Sequence, residues 1–363
     1  MPNVDEQRPV VRVKKWRKPF LLGGVKVLPG ERRLVEIPLM RLYTHSEISL
    51  RTKVLVGQHQ GPTIFLSAAI HGDEINGVEI IRRFLKHPSL ARLRGVVIAV
   101  PIVNVHGVLS RSRYLPDRRD LNRSFPGSSH GSLAARIAHL FMKSIVSRCE
   151  YGIDLHTGSA HRVNLPQVRA NLDSPEVREL AHSFGVPVIL ESDIPDGSLR
   201  SAMVEQGKKV LVYEAGEALR FDEVVIRAGL RGIISVLRKI GCLPAVKKRV
   251  APIEPYVARS SNWIRAPESG LFRAHVALGA HVKRGDLLGF LSDPFGIREV
   301  AVRAKESGIV IGRSSLPLIN EGEALFHIAS FSRPKEVARH VKRYTSALEP
   351  DDVIHDGDEY PVV

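Results

Sequence analysis

From Thr63 to Val246 short apolar runs alternate with amphipathic stretches, and few folds are open to a chain with that texture. Brief apolar runs bounded by turn residues read as buried strands, and stretches apolar at spacings of three and four read as helices. Strands are expected at Thr63–Ala69, Val96–Val103, Tyr151–His156, Val186–Glu191 and Val210–Glu214. Helices are expected at Asn76–Leu85, Gly131–Ser147, Pro175–Phe184, Ser198–Glu205 and Asp222–Ile240. This alternation predicts an α/β sheet with helices packed on it. The first helix should stop ahead of His87-Pro88, because the residue before a proline is pushed out of the helical region.

The texture changes near Ala251. No helical period appears between Pro252 and Ser330, and glycine turns separate short runs such as Gly270–Ala274, Gly279–Gly289 and Gly308–Gly312, so a small all-β domain is expected there. Three parts follow: residues 1–250, with an N-terminal extension to about residue 40; the β region, 251–331; and a charged tail, 332–363. The tail begins basic, ends acidic and is expected to be mobile, with a short helix at Pro334–Tyr344.

Composition narrows the chemistry. Of 363 residues, 53 are Lys or Arg against 38 Asp or Glu, and a net charge of +15 raises the question of nucleic acid or anionic lipid. The basic residues are scattered, however, and of the concentrations at Arg12–Lys18 and Lys247–Arg249 only the first holds an aromatic, Trp16; a nucleic-acid role is not expected. The two cysteines, Cys149 and Cys242, lie in apolar-periodic stretches, which leaves no disulfide framework or cysteine-rich metal site. Any metal must rest on histidines and carboxylates. The N-terminus lacks an apolar signal core and no run reaches the roughly 18 apolar residues that span a bilayer. A cytoplasmic homo-oligomer acting on a small molecule, without a membrane partner, is the expectation.

Four segments carry chemistry. In Ser67-Ala-Ala-Ile-His71-Gly-Asp-Glu74 a buried strand runs straight into two metal-ligand types three residues apart, at the strand end where open α/β sheets place their ligands. A histidine and a carboxylate suit Zn²⁺, which in catalytic sites takes three protein ligands and keeps a fourth position for water. Asp154-Leu-His156 offers the third ligand at another strand end, with Asp154 on the same face to orient the ring. Between them runs a long glycine- and arginine-rich stretch, Asn104 to Gly127, in which Arg113 and Arg123 offer planar donor forks to a carboxylate or an oxyanion. The strand Val210–Glu214 ends in a carboxylate, and a three-ligand zinc site still needs a general base. His71, Glu74, His156 and Glu214 each also have a plain reading, as a polar helix start or a strand end at the surface.

Taken in order, a His-Gly-x-Glu segment, an Asp-Leu-Asn-Arg segment, an Asp-Leu-His segment and a strand-ending Glu resemble the succinylglutamate desuccinylase and aspartoacylase family, whose core is similar to the zinc carboxypeptidases. The resemblance covers about residues 40–330. It implies a mixed-sheet α/β core with a small barrel-like β domain over the active-site face. It further implies one zinc held by His71, Glu74 and His156, water activated by Glu214, a carbonyl polarised by Arg113, and a substrate carboxylate held by Asn122 and Arg123. Asp120 would buttress a ligand histidine. The activity so implied is hydrolysis of the amide of a small, anionic N-acyl amino acid. Peptide C-terminal hydrolysis, ester hydrolysis and a non-catalytic binding role stay open. The β region contributes no evident ligand or base and is expected to limit access to the site.

Overall fold

The structure, a computed structural model, describes residues 15–16, 18–159, 161–191, 195–245 and 254–349. The basic concentration near residue 12 lies mostly outside these residues, and that at 247–249 wholly so. The chain opens with four strands, β1 (Phe20–Leu22), β2 (Val25–Val27), β3 (Arg32–Arg41) and β4 (Glu47–Val56). There follow β5 (His59–Ala68), α1 (Asn76–Lys86), β6 (Arg94–Val100), α2 (Val105–Ser110), α3 (Leu133–Ser144) and β7 (Tyr151–Gly158). After them come β8 (Arg162–Ala170), α4 (Pro175–Phe184), β9 (Val188–Glu191), α5 (Leu199–Glu205), β10 (Lys209–Glu217) and α6 (Glu223–Lys239).

Strands β10, β7, β5 and β6 run parallel, and their side chains are almost wholly buried on both faces. That is why they read as continuous apolar runs in the sequence. One face is covered by α1, α4 and α6 through Ile80, Phe84, Leu180, Phe184 and Ile233; the other by α3 and α5 through Ile137, Phe141, Leu199 and Met203. The ten strands and helices expected in this region are all present, within a few residues at their ends. Strands β3 and β4 were not expected. They pair antiparallel and extend the sheet beyond β6, with Arg32, Arg33 and Glu36 turned outward on the edge strand. Charged residues and Pro38 on such an edge discourage further pairing and also disguise the strand.

The C-terminal strands are β11 (Tyr256–Ala258), β12 (Ser260–Arg265), β13 (Gly270–Ala274), β14 (His281–Val282), β15 (Leu287–Ser292), β16 (Glu299–Arg303), β17 (Gly308–Ser314), β18 (Leu318–Ile319) and β19 (Ala324–Ser330). Four of them form a separate antiparallel sheet, in the order β16-β15-β13-β18. Others join the core. Strand β17 pairs antiparallel with β8, so the large sheet runs β12-β19-β17-β8-β10-β7-β5-β6-β4-β3, with β9, β11 and β14 at its sides. Helix α7 (Pro334–Ser346) buries Val337 and Val341 in a cluster with Leu165 and Ile311, while Tyr344 and Leu348 reach the cluster beneath α4 and α6. The start of the charged tail is therefore packed, and its acidic end lies outside the described residues. Among the described residues no helix is long and apolar enough to cross a membrane.

Candidate active site

The strand ends deliver the chemistry. Strand β5 stops at Ala68, Ala69 takes a left-handed conformation, and the chain turns through His71 and Glu74 into α1. Close approach fixes this turn: a Cβ on Gly77 would stand 2.7 Å from the Cβ atoms of both Ala68 and Leu155, and one on Gly72 would meet the backbone of Gly107 at 1.9 Å. Helix α1 thus starts hard against β5 and β7, which brings Glu74 over the end of β7. There His156 emerges, register partner of Glu214 on β10.

His71, Glu74 and His156 are all buried, and their ligand atoms lie within 4.8 Å of one another. Glu74 sits between the rings, with Oε1 2.8 Å from His71 Nδ1 and Oε2 2.8 Å from His156 Nδ1. Each ring commits its other nitrogen to an aspartate. His71 Nε2 donates to Asp120 Oδ1 at 3.1 Å, and His156 Nε2 donates to Asp154 Oδ2 at 2.6 Å; Ser67 Oγ donates to the second oxygen of Asp154. Both Nδ1 atoms are left facing the centre, the arrangement a metal requires of its imidazoles. Electrostatics agree. Burial opposes charge on His156 and His71, yet Asp154 and Glu74 for the one, and Glu74 and Asp120 for the other, outweigh it and hold both pKa values above 6.5. Burial likewise opposes charge on Glu74, and the two rings overcome it and hold its carboxyl far below the ordinary range. Two imidazoles with one carboxylate form a donor set that fits Zn²⁺.

Around this cluster lies a cleft of about 280 Å³ lined by all seven sequence-predicted site residues: His71, Glu74, His156, Glu214, Arg113, Asn122 and Arg123. Arg113 is clamped by Asp120 Oδ2 through Nε at 3.1 Å and Nη2 at 2.8 Å, which leaves Nη1 3.4 Å from Glu74 Oε1 at the edge of the cluster. Asn122 accepts the Leu199 N–H at 2.9 Å, tying the arginine-rich stretch to the start of α5. Asn164, Arg200 and Trp263 line the cleft without having been singled out in the sequence. Arg162 and Arg169 line it too. Trp263 comes from β12, so the C-terminal region supplies a wall of the cleft. The Arg162 guanidinium lies 5.4 Å from its ring centroid, and His327 stacks on the ring at 4.4 Å and 10°. No local sequence signal marks Trp263, since it reaches the site through the pairing of β12 with β19 and of β19 with β17.

Comparison with known proteins follows the same line. The catalytic-domain profile of the succinylglutamate desuccinylase/aspartoacylase family matches residues 60–240. An N-alpha-acetyl-L-2,4-diaminobutyric acid deacetylase of Halomonas elongata is 28% identical over 289 residues, which are 76% of this chain and 84% of that one. A probable aspartoacylase of Prochlorococcus marinus is 26% identical over 164 residues, 42% of this chain and 52% of the relative. Among solved structures, the ectoine utilization protein EutE (DoeB) of Ruegeria pomeroyi superposes with a TM-score of 0.75 at 24% identity, covering 83% of this chain and 97% of that one. A succinylglutamate desuccinylase/aspartoacylase of Rhodobacter sphaeroides gives 0.73 at 24%, covering 83% and 96%. These structures share the α/β fold with its C-terminal β region. Through its residues 60–240 this chain belongs to the succinylglutamate desuccinylase/aspartoacylase family.

Proposed function

We propose that the protein is a zinc-dependent deacylase that hydrolyses the amide bond of a small, anionic N-acyl amino acid. The observation that carries this reading is the buried His71–Glu74–His156 cluster, with both outer ring nitrogens held by aspartates and Glu214 in the same cleft. Zinc bound there supplies Lewis acidity and brings the pKa of water toward neutrality. Glu214 takes the proton of the attacking water and later delivers it to the amide nitrogen as the C–N bond breaks, leaving a carboxylate and an amine. Arg113 offers Nη1 to the oxyanion that forms on the acyl carbonyl; its other nitrogens are held by Asp120, so it needs little reorganisation to do so. Arg123 and the side-chain amide N–H groups of Asn122 bind the substrate carboxylate.

Charge supports an anionic substrate. The cleft is lined by Arg113, Arg123, Arg162, Arg169 and Arg200, against Glu74 and Glu214 as its carboxylates. Among the described residues that line the cleft, arginines outnumber carboxylates, and of the latter Glu74 faces the two rings while Glu214 pairs with Arg169 through Oε2. The test is a screen of N-acetyl and N-succinyl amino acids with zinc-loaded protein, alongside elemental analysis. About one zinc per chain is expected, lost in His71→Ala and His156→Ala. Glu214→Gln should keep zinc and fold while kcat falls by roughly two orders of magnitude or more. Full metal retention in both histidine variants, or parental turnover in zinc-loaded Glu214→Gln, is the outcome that removes this reading.

A further inference from the structure

The hydrogen bond and the ion pair that side chains make to Glu214 among the described residues fall on one of its two oxygens. Arg169 Nη2 lies 3.0 Å from Oε2, and Asn164 Nδ2 donates to that same Oε2 at 3.1 Å. Both partners come from β8, the antiparallel neighbour of β10. They are five residues apart, and in a regular strand an odd separation puts two side chains on opposite faces. An irregularity brings them together. Glu214 is opposite Gln167, but Gly216 is opposite Asn164, so two steps along β10 correspond to three along β8. The extra residue is a β-bulge at Leu165-Pro166, where proline is tolerated because no ladder bond asks for its N–H. The bulge shifts the alternation by one, and Asn164 joins Arg169 on the Glu214 face.

We propose that Arg169 and Asn164 are positioning residues for Glu214: they hold the carboxylate by Oε2 and leave Oε1 free to take the proton from water and return it to the amine. The proposal rests on the deacylase reading above. A carboxylate without these bonds samples several rotamers, and misplacement by about 1 Å can cost on the order of 100-fold in rate. Both side chains are mostly buried, 24% exposed for Arg169 and 20% for Glu214, so melting temperature is measured beside rate to separate a folding cost from a catalytic one.

A double-mutant cycle tests this. Arg169→Met, Arg169→Lys, Asn164→Ala, Glu214→Gln and the Arg169→Met/Glu214→Gln pair are compared on the substrate found in the screen, with zinc content and melting temperature measured for each. Arg169→Met and Asn164→Ala are expected to lower kcat about 10- to 100-fold at near-parental KM and zinc content. Arg169→Lys, which keeps the charge and one donor, should recover part of the loss. In the Glu214→Gln background Arg169→Met should cost nothing further, since its effect passes through the carboxylate. Losses that simply add in the cycle, or a raised KM at unchanged kcat, overturn the proposal and make Arg169 a substrate contact or a packing residue. Parental turnover in zinc-loaded Glu214→Gln alone would instead remove the deacylase reading, and the positioning role with it.

Discussion

Asp154 and Asp120 do different work at the two rings. Asp154 is buried and, among the described residues, is bonded to the His156 ring nitrogen and the Ser67 hydroxyl, which suits it to direct the His156 ring. Asp120 divides its oxygens between His71 and Arg113, coupling a proposed metal ligand to the group proposed to meet the oxyanion. Asp154→Asn keeps the shape but weakens the acceptor, and is expected to lower zinc affinity about 10- to 100-fold in a competition titration with a chelator. Asp120→Asn should lower zinc affinity less and turnover more, because its second partner is Arg113. Parental affinity in Asp154→Asn would show that packing alone directs the ring. Much of this cluster is legible in the sequence because His156 lies near the end of one apolar strand, His71 and Glu74 follow closely on another, and i, i+2 spacing puts Asp154 beside His156. The bonds of Asn164 and Arg169 to Glu214 are not, since a bulge breaks the alternation on which such reading depends.

Helices α1 and α6 are joined by charge as well as by apolar contact. Arg83 binds Glu79 on its own helix and reaches Glu223 on α6 with two bonds of 2.7 and 2.8 Å, and Arg227 adds a bond to Glu223. The Arg82 bond, ahead of burial and Arg83, holds the Glu79 carboxyl below its ordinary 4.5; for Glu223, burial is outweighed by Arg83 and Arg227. A carboxylate whose pKa is lowered by folding stabilises the fold above its unfolded pKa and loses that contribution as pH falls through the folded value. The network should therefore be intact above about pH 4.5 and fade below it. Arg83→Met is expected to cost about 1 kcal/mol at pH 7, given partial solvent screening, and the gap in melting temperature from the parent should narrow as pH drops from 4.5 toward 3. A gap independent of pH would assign the loss to packing. The helices themselves were readable from their apolar period. Strand β8 was not: Asn164, Pro166 and Gln167 lie within it, and polar residues with a proline in a buried strand make sense only once the cleft and the bulge are known.

At the scale of the whole molecule the sheet crosses from the family core into the C-terminal region. Strand β17 covers the edge of β8 from Arg162 to Asn164, and Leu165, Val188 and Leu190 share a cluster with Ile309, Ile311 and Val337. A chain ended at residue 245 would expose that edge and cluster together, so it is expected to aggregate or to lose cooperative unfolding rather than persist as a zinc-binding core. A soluble fragment with the parental melting temperature and zinc content would show that the C-terminal strands only shade the cleft. Strand β17 also follows β8 by about 150 residues. At roughly 5–20 residues per second, a ribosome completes β8 about 8–30 s before its partner strand exists. During that interval the Arg162–Asn164 edge of β8 is open to other chains, and Arg162 with the nearby Pro166 makes it a poor template for them. The same two residues that line or shape the mature cleft would then act first as guards of the nascent one.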